Sequence, residues 1–583
     1  MHSPNLSPSS KSLLFAALAL LPASSSNAQR SATKEADEAF RAGYTAFSSN
    51  HLEEARTDFQ KVVRLAPQLE EGHSALGAVL LHLNDYPAAI AELKQALKMK
   101  PNDAAAQTNL AFAFAATGRD RDALPLFVIL EQTGTPSADI LSAHARSLAS
   151  TGQVTAAVDK MKQAIAVAPS VAAHHDDLGS LYAQQQEWTS ASQAFTAALQ
   201  LDPGFAQAHL HLGLVLQNQR QMDQAIAELT TATHLDPQNA LAQLSLGKAL
   251  VQAGREQEAI SPLKTAVALD TSSDDAKYQL ALAYQATGQF KEALPLFQEA
   301  AKTGSGNAPL LTNLALDMVQ LGNAKQAVPI FQQALSLTPD AVTVHEDLGV
   351  AYLQESDVDD ALREFRAGLK SDPSDPQLHY NIGLALKLKD DLSGAIPEFE
   401  TAERLDPTAP DPPFTLGILY MQQGRFDDAA QQLNTALKLR PQNSDGWAVL
   451  GSVYQQQNKL PEAVSALQEA IRLAPQMPGP HINLGQVLSQ QGKASEAAAE
   501  RKTAADLTRV AVNHQRAAFA TNTGNMLLEK GQIADAIARY QEALASDPNF
   551  ADARRQLATA LARAGRTAEA EVERKKAAET PQP

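Results

Sequence analysis

The stretch LGSVYQQQ, residues 450–457, repeats with small changes a stretch that stands much earlier in the chain, LGSLYAQQQ at residues 178–186. The glycines of the two stretches, Gly179 and Gly451, are 272 residues apart, which is eight periods of 34. A fixed period of a few tens of residues is the signature of stacked repeats. The same period should therefore recur along the whole chain.

Small residues do recur at this spacing. Steps of 34 from Gly43 reach Gly or Ala every time as far as Gly485; the next small residue, Gly524, comes after 39, and Ala558 follows after 34. This makes sixteen repeats with one insertion of five residues. We number each repeat from its small residue, position 0, and Ala stands at position +12 in all sixteen, beginning with Ala55.

These columns predict that each repeat is a pair of antiparallel helices. Small residues at positions 0 and +12 let two helix backbones approach closely, and a larger side chain there would overpack the contact by ~1 to 3 kcal/mol. Fourteen repeats carry a large apolar residue at +16, expected between neighbouring repeats, and eleven carry Pro at +24, where one helix ends and the next begins. Aromatic residues are 5% of the chain and no alternating apolar run appears, so the chain is predicted to be all-α.

One repeat shows a complete known pattern: Leu178, Gly179, Tyr182, Ala191, Phe195, Ala198 and Pro203. This pattern resembles the tetratricopeptide repeat, whose 34 residues form a helix-turn-helix. The resemblance covers about residues 36–580. It implies an all-α, right-handed superhelical solenoid of antiparallel helix pairs, with a concave groove lined by the first helix of each pair. The function it implies is binding and scaffolding.

The departures from the pattern define the predicted organisation. Repeats 1–14 occupy residues 36–502, and repeats 15 and 16 with a C-terminal cap occupy 517–580. Between them, residues 503–516 hold the insertion without a Pro, so a lengthened helix is expected there. Arg501 and Arg574 stand at +16 in place of an apolar residue, and the second of these suits a solvent-facing end cap.

The first 28 residues have the features of a secretory signal peptide: Lys11, an apolar run from Leu13 to Leu21, and a small-residue stretch ending at Ala28. The apolar run is about half of the ~20 residues needed to span a bilayer. We expect cleavage after Ala28, a short linker at 29–35, no later membrane span, and a periplasmic or secreted protein. The alternative is a disordered N-terminal tail.

The charge of the chain argues against nucleic-acid binding. It has 48 Lys and Arg against 65 Asp and Glu, a formal net charge of −17, and neither sign forms a long block. A surface that follows phosphates needs clustered cations. The partner is therefore expected to be a protein or peptide.

Within the first helix of each repeat, positions −4, −1, 0 and +3 fall on the core side. Positions −6, −2, +1 and +5 lie opposite, and we call them the first-helix face. Three rows there are candidate peptide-binding residues. They are an apolar row at +1 (Leu214, Leu282, Leu316, Val350, Leu384, Ile418), amides at −2 (Asn313, Asn381, Asn483) and amides at +5 (Gln320, Gln354, Gln422).

Amides can pair with the backbone of an extended peptide whatever its sequence. An apolar row on an exposed helix face is unusual and can mark a binding surface. Our hypothesis is that repeats 6–12 hold an extended, partly apolar protein segment. The alternative is that the apolar row is half-buried against the adjacent repeat and that the amides are simply tolerated by water.

No catalytic, cofactor or metal site is expected. Six His residues stand at −4 on the core side, where another repeat has Trp447, and they replace an aromatic residue. Single His residues one repeat apart do not converge on a metal, and the chain has no Cys. The sequence therefore favours a non-enzymatic, periplasmic scaffold that binds extended polypeptide segments. Two alternatives are an accessory subunit of an envelope polysaccharide-export or secretion machine, and an enzyme with an unrecognised site.

Overall fold

The computed structural model describes residues 27–134, 136–303 and 307–579, and every regular element in these ranges is an α-helix. The contacts divide the chain into an N-terminal unit, residues 1–305, and a C-terminal unit, residues 306–583. The described helices of the N-terminal unit are α1 Asn27–Ser48, α2 Leu52–Leu65, α3 Glu70–His82, α4 Tyr86–Met99, α5 Ala104–Ala116, α6 Asp120–Thr133, α7 Ala138–Ser150, α8 Val154–Val167, α9 Ala172–Gln184, α10 Trp188–Leu201, α11 Ala206–Asn218, α12 Met222–Leu235, α13 Ala240–Gln252, α14 Glu256–Leu269, α15 Asp274–Ala286 and α16 Phe290–Thr303.

The described helices of the C-terminal unit are α17 Ala308–Gln320, α18 Ala324–Leu337, α19 Val342–Gln354, α20 Val358–Ser371, α21 Pro376–Leu388, α22 Leu392–Leu405, α23 Asp411–Gln422, α24 Phe426–Leu439, α25 Ser444–Gln456, α26 Leu460–Leu473, α27 Pro478–Gln490, α28 Ala494–Glu529, α29 Ile533–Ser546, α30 Ala551–Arg563 and α31 Thr567–Glu579. In both units each helix packs most extensively on its partner in the pair and next on the following pair. The predicted fold class, an all-α stack of helix pairs, is confirmed.

Two columns of residues hold each pair together. The sixteen Ala residues at +12 are at most 1% exposed, so their size is set by contact with the partner helix. The large apolar residue at +16 is buried in all fourteen pairs that have one, whereas Arg501 and Arg574 are exposed. Phe195 shows where this residue packs: it lies directly over Gly179 of its own pair, and its ring centroid is 5.3 Å from that of His211 in the next pair. It therefore fills the contact within a pair as well as the predicted layer between pairs.

Each first helix ends in the same backbone turn. The residue at +7 has a positive φ in all sixteen pairs; nine of these residues are Gly, and the others include Arg220 with φ 61°. The N–H of the following residue, Gln221, donates to the carbonyl of Leu216 at 2.9 Å. This bond closes a left-handed helix cap, in which Gly is the residue of lowest strain. The second helix can then start within a few residues.

The two ends of the repeat array and its insertion differ in part from expectation. Residues 29–35, expected as a linker, belong to α1. The signal peptide expected at 1–28 lies outside the described residues except for Asn27 and Ala28, the first residues of α1. At the insertion, α28 runs for 36 residues without interruption, so its N-terminal part pairs with α27 and its C-terminal part pairs with α29. None of the helices in the described ranges has the length and apolar character of a membrane span.

Candidate protein-interaction face

The apolar row at +1 is half-buried along its whole length. In the N-terminal unit this holds for Leu214 and Leu282, and in the C-terminal unit for Leu316, Val350, Leu384 and Ile418. Leu384 and Tyr380, for example, both pack against an apolar cluster that includes Phe399. Each of these side chains thus keeps one side against its own stack and leaves the other side accessible.

The amide row at +5 is exposed. Gln320, Gln354 and Gln422 are the last residues of α17, α19 and α23, and all three side chains are exposed to solvent. Their position at helix ends lets the flexible side chains reach beyond the helix surface. The C-terminal unit therefore presents free-standing amides next to a half-buried apolar row.

The amides at −2 have a different role. Asn381 is buried; its oxygen accepts from Gln377 Nε2 at 3.2 Å, and its nitrogen donates to Glu346 Oε1 at 3.1 Å on the first helix of the preceding pair. Asn483 likewise donates to Ser452 Oγ at 3.1 Å, and Asn313 is half-buried. Asn381 and Asn483 thus tie successive first helices together, so part of their hydrogen-bonding capacity is used inside the fold.

Two neighbouring carboxyl groups on α19 are partly desolvated. Burial, with a further contribution from the Glu346 carboxylate, raises the pKa of Asp347 to about 6. Burial also raises the pKa of Glu346, and Asp375 adds to this while the hydrogen bond from Asn381 opposes it. A carboxylate at Asp347 is therefore costly to the fold at neutral pH.

Asp347→Asn should stabilise the C-terminal unit by about 1 to 2 kcal/mol at pH 7.5, after allowance for partial exposure, and should have little effect near pH 4. The sign follows because the folded pKa lies above the unfolded one, so the cost of ionisation appears as pH rises from about 4 to above 6. Urea unfolding at the two pH values measures it. A variant equally stabilised at both would show that ionisation of Asp347 is not the cause.

In the N-terminal unit the first-helix face carries a concavity of about 370 Å³ between α11, α13 and α15. Its apolar wall is formed by Leu214, Leu244 and Leu241, and the last of these is 55% exposed. Lys248 Nζ and Asp275 Oδ2, 3.0 Å apart, form its polar edge. The concavity is of a size to accept one apolar side chain, with polar groups beside it for the adjoining backbone.

Sequence reasoning included Leu214 among the candidates but not the other residues of this wall. Leu241 stands at −6, where the neighbouring pairs have no comparable apolar residue, and Lys248 is a charged residue at +1, where the pairs on either side have Leu. The sequence does carry a signal for this wall: Leu241, an apolar residue at a position expected to be exposed, stands one turn before Leu244 on the same helix.

The His residues at position −4 make hydrogen bonds within the fold. The Nε2 of His73, His175, His209, His345 and His379 donates to a Pro carbonyl six residues earlier, at 3.0 to 3.3 Å. Other residue types at −4 make the same bond: Trp447 Nε1 donates to the Pro441 carbonyl at 2.9 Å, and Gln107 Nε2 donates to that of Pro101 at 2.7 Å. In these pairs the residue at −4 thus anchors the loop that precedes the first helix. Within the described ranges no cluster of His and acidic residues could hold a metal ion.

A Glu on the second helix completes this network. In five pairs the His Nδ1 contacts a Glu Oε2 at 2.5 to 2.9 Å, and each Glu lies nineteen residues after its His. Among the sixteen repeats, Glu occurs at this position only opposite a His or, in the last pair, opposite Arg554. This pairing is visible in the sequence once positions −4 and +15 are compared, and sequence reasoning missed it because it treated the His residues singly.

Comparison with known proteins agrees with this architecture. Tetratricopeptide repeat family models match residues 39–69, 79–118, 179–219, 210–276, 250–315 and 524–565. The model of the cilia and flagella-associated protein 70 C-terminal domain matches residues 304–521. No curated protein matches the chain.

Similar solved structures include the APC/C hetero-tetramer Cut9-Hcn1, 17% identical, covering 79% of this chain and 98% of that one at a TM-score of 0.35. YrrB, described as a TPR protein with an unusual peptide-binding site, is 23% identical and covers 34% of this chain and 97% of its own at 0.29. MamA protein is 25% identical and covers 29% and 92% at 0.28. With tetratricopeptide repeat models matching six ranges between residues 39 and 565 and sixteen helix pairs in the described residues, the chain is a tetratricopeptide repeat protein.

Proposed function

We propose that this chain is a non-enzymatic scaffold that binds extended, partly apolar segments of other proteins on its first-helix face. The observation that carries the proposal is the pairing of two rows on consecutive first helices: exposed amides at +5 beside half-buried apolar residues at +1. A repeat fold of this family is suited to protein interactions, because stacked helices present a long continuous surface.

The two rows would divide the work of binding. The exposed Gln amides can each donate to a backbone carbonyl and accept from a backbone N–H, which gives affinity without selecting a sequence. The apolar row and the concavity beside Leu241 favour apolar side chains at intervals along the bound segment. The expected ligand is therefore an extended peptide with spaced apolar residues rather than an acidic chain terminus.

A triple variant tests the amide row. Gln320→Ala, Gln354→Ala and Gln422→Ala together should weaken binding of a peptide selected by display on the purified protein by about tenfold or more, since each net hydrogen bond contributes at least ~0.5 kcal/mol and three are lost. Isothermal titration calorimetry measures the Kd. Because the three side chains are exposed, the fold should be unaffected.

The matched control places Gln→Ala changes on second helices. Gln326 on α18 and Gln431 on α24 are also exposed but lie outside the first-helix face. Their double Ala variant should keep the affinity of the original protein. Equal loss in both variants, or no loss in the first, would remove the amide row from the binding site.

We further propose that the chain is exported and acts in the periplasm or outside the cell. The support is the order of Lys11, the apolar run from Leu13 to Leu21 and the small residues before Gln29. N-terminal sequencing of the protein expressed in a diderm bacterium should begin at Gln29, and the protein should appear in the periplasmic fraction. A cytoplasmic product that retains its first residues would contradict export.

A further inference from the structure

The long helix α28 leaves the stacking side of pair 15 uncovered. Within each unit, positions −5 and +2 of the first helix pack against the preceding pair. Both positions are buried in pairs 2–14 and in pair 16. In pair 15 these positions are Phe519 and Met526, which are 77% and 55% exposed. Pair 1, the other pair without a predecessor in the described stack, has the polar residues Glu38 and Thr45 there. Pair 15 therefore has the side chains of an interior pair and the exposure of a terminal one.

Pair 14 is also partly uncovered, on its outgoing side, by which we mean the side that contacts the following pair in a regular stack. Ile482, at position −3, is 43% exposed, whereas this position is at least half-buried in every other pair but the last. Ala505, at +20, is also exposed, and the same position is at least half-buried in pairs 1–13. The outgoing side of pair 14 thus lacks the neighbour that the other pairs have.

The two uncovered sides fit each other in size. In the regular stack the residue at −5 contacts positions +19 and +20 of the preceding pair, and in several pairs a bulky residue on one side meets a Gly on the other. Gly446 faces Leu437, with 2.9 Å between an added Cβ and Leu437 Cδ2, and Leu378 faces Gly368. Pair 14 presents two small residues, the exposed Ala505 and the adjoining Ala504, which is only 3% exposed. Pair 15 presents Phe519, the largest residue at −5 in the chain.

Phe519 cannot reach Ala505 of its own chain while α28 is continuous. The fourteen residues between them span about 21 Å along the helix, at 1.5 Å per residue. At 100° per residue, the same fourteen residues bring the chain to within about 40° of four full turns of the helix. The side chains of Ala505 and Phe519 therefore lie on nearly the same side of α28. Residues 505, 508, 512, 515 and 519 follow this side and line two adjoining concavities of about 540 and 800 Å³.

We propose that two copies of this chain dimerise through α28, each seating its Phe519 on the Ala504–Ala505 surface of the other. An antiparallel crossing near Val512 makes both contacts at once by two-fold symmetry, and the last two pairs of each copy then continue the stack of its partner. In this arrangement Arg509 lies across from the partner's residues 514–515 and Arg516 across from 507–508, so these arginines do not oppose each other. The interface reuses the stacking contact that every interior pair already makes.

Light scattering on the full chain tests the dimer. The original protein should have twice the chain mass, and Phe519→Asp should be monomeric with an unchanged helical circular-dichroism spectrum, because the side chain is exposed in the single chain. Val510→Asp is the matched control: Val510 is 62% exposed on the other side of α28 and should leave the dimer intact. A monomeric original protein, or a dimer unaffected by Phe519→Asp, would overturn the proposal.

Cysteine pairing identifies the contact, since the chain has no Cys of its own. The equivalent residues in the regular stack bring an added Cβ on Gly72 to 3.8 Å from Val62 Cβ, a separation that a disulfide spans. Co-expressed chains carrying Ala504→Cys and Phe519→Cys separately should form a mixed disulfide dimer on oxidation. A double variant whose disulfide closes within one monomeric chain would show instead that α28 bends and covers its own surface, and would overturn the exchange between copies.

Discussion

Replacing Gly247 by Ala is expected to lower the free energy of unfolding of its helix pair by about 1 to 3 kcal/mol. The direction opposes helix propensity, because Ala in a helix interior is ordinarily more favourable than Gly by ~1 kcal/mol. Here an added Cβ would lie 2.3 Å from Leu263 Cγ and 2.4 Å from its Cδ2. The contacted Cγ is the branch point of a fully buried side chain, so it cannot move away without shifting α14.

Gly479→Ala is the control for this prediction. Gly479 lies in α27, its φ is not positive, and no atom lies within 4 Å of an added Cβ. The same substitution there should be neutral or stabilise by up to ~1 kcal/mol. Hydrogen exchange of α13 and α14 measures the first variant, and exchange of α27 measures the second. A Gly247→Ala protein with slower exchange than the original would refute the packing argument.

The period of 34 predicted the helix pairs because the contact within a pair is local and repeated sixteen times. Ala191 and Phe195, for instance, are buried as their columns require. The turn at Arg220 was not predicted, because a left-handed φ is signalled by Gly and seven of the sixteen turns have another residue. Four of those seven residues are Asn or Asp, which adopt this conformation more readily than other side chains. The turns at Gln186, Arg220 and Ser356 have no such signal and are set by the packing of the two helices they join.

The candidate face could be predicted only in part. The helical periodicity placed Gln354 and Val350 on one side of α19, and the structure places them there with the amide exposed and the Val half-buried. Periodicity could not show that the Asn381 amide donates a hydrogen bond to Glu346, because that bond joins residues 35 apart across two pairs. Phe519 was equally hidden, since its position is buried in every other pair that has a predecessor.

Removing either member of the His345 and Glu364 pair alone is expected to cost about 2 to 3 kcal/mol. His345 Nε2 donates to the Pro339 carbonyl at 3.0 Å, and its Nδ1 lies 2.9 Å from Glu364 Oε2. A carbonyl can only accept, so Nε2 carries a proton, and a second proton is shared between Nδ1 and the carboxylate. Both side chains are nearly buried, at 12% and 14% exposed, so the remaining group would lose its shortest polar partner; Glu364 would keep only the contact of its Oε1 with Arg363 Nε at 3.4 Å.

Pair 13 shows how the chain dispenses with this network. There Trp447 stands at the His position and donates to the Pro441 carbonyl at 2.9 Å, and the Glu position is the buried Ala466. The double variant His345→Trp with Glu364→Ala copies that arrangement, and it should lie within about 1 kcal/mol of the original protein. Either change alone should be more damaging: His345→Trp sets an indole against a buried carboxylate, and Glu364→Ala leaves Nδ1 without its partner.

Guanidinium unfolding of the original, the two single variants and the double variant closes a thermodynamic cycle with an expected coupling of about 3 kcal/mol or more in favour of the double variant. The size of the coupling separates two roles for the Glu. If Glu364 served only as a solvated surface charge, the two single changes would add within ~0.5 kcal/mol and the coupling would vanish. A large coupling instead means that His and Glu are chosen together in the five pairs that have both, which explains why Glu is absent opposite Trp447 and Gln107.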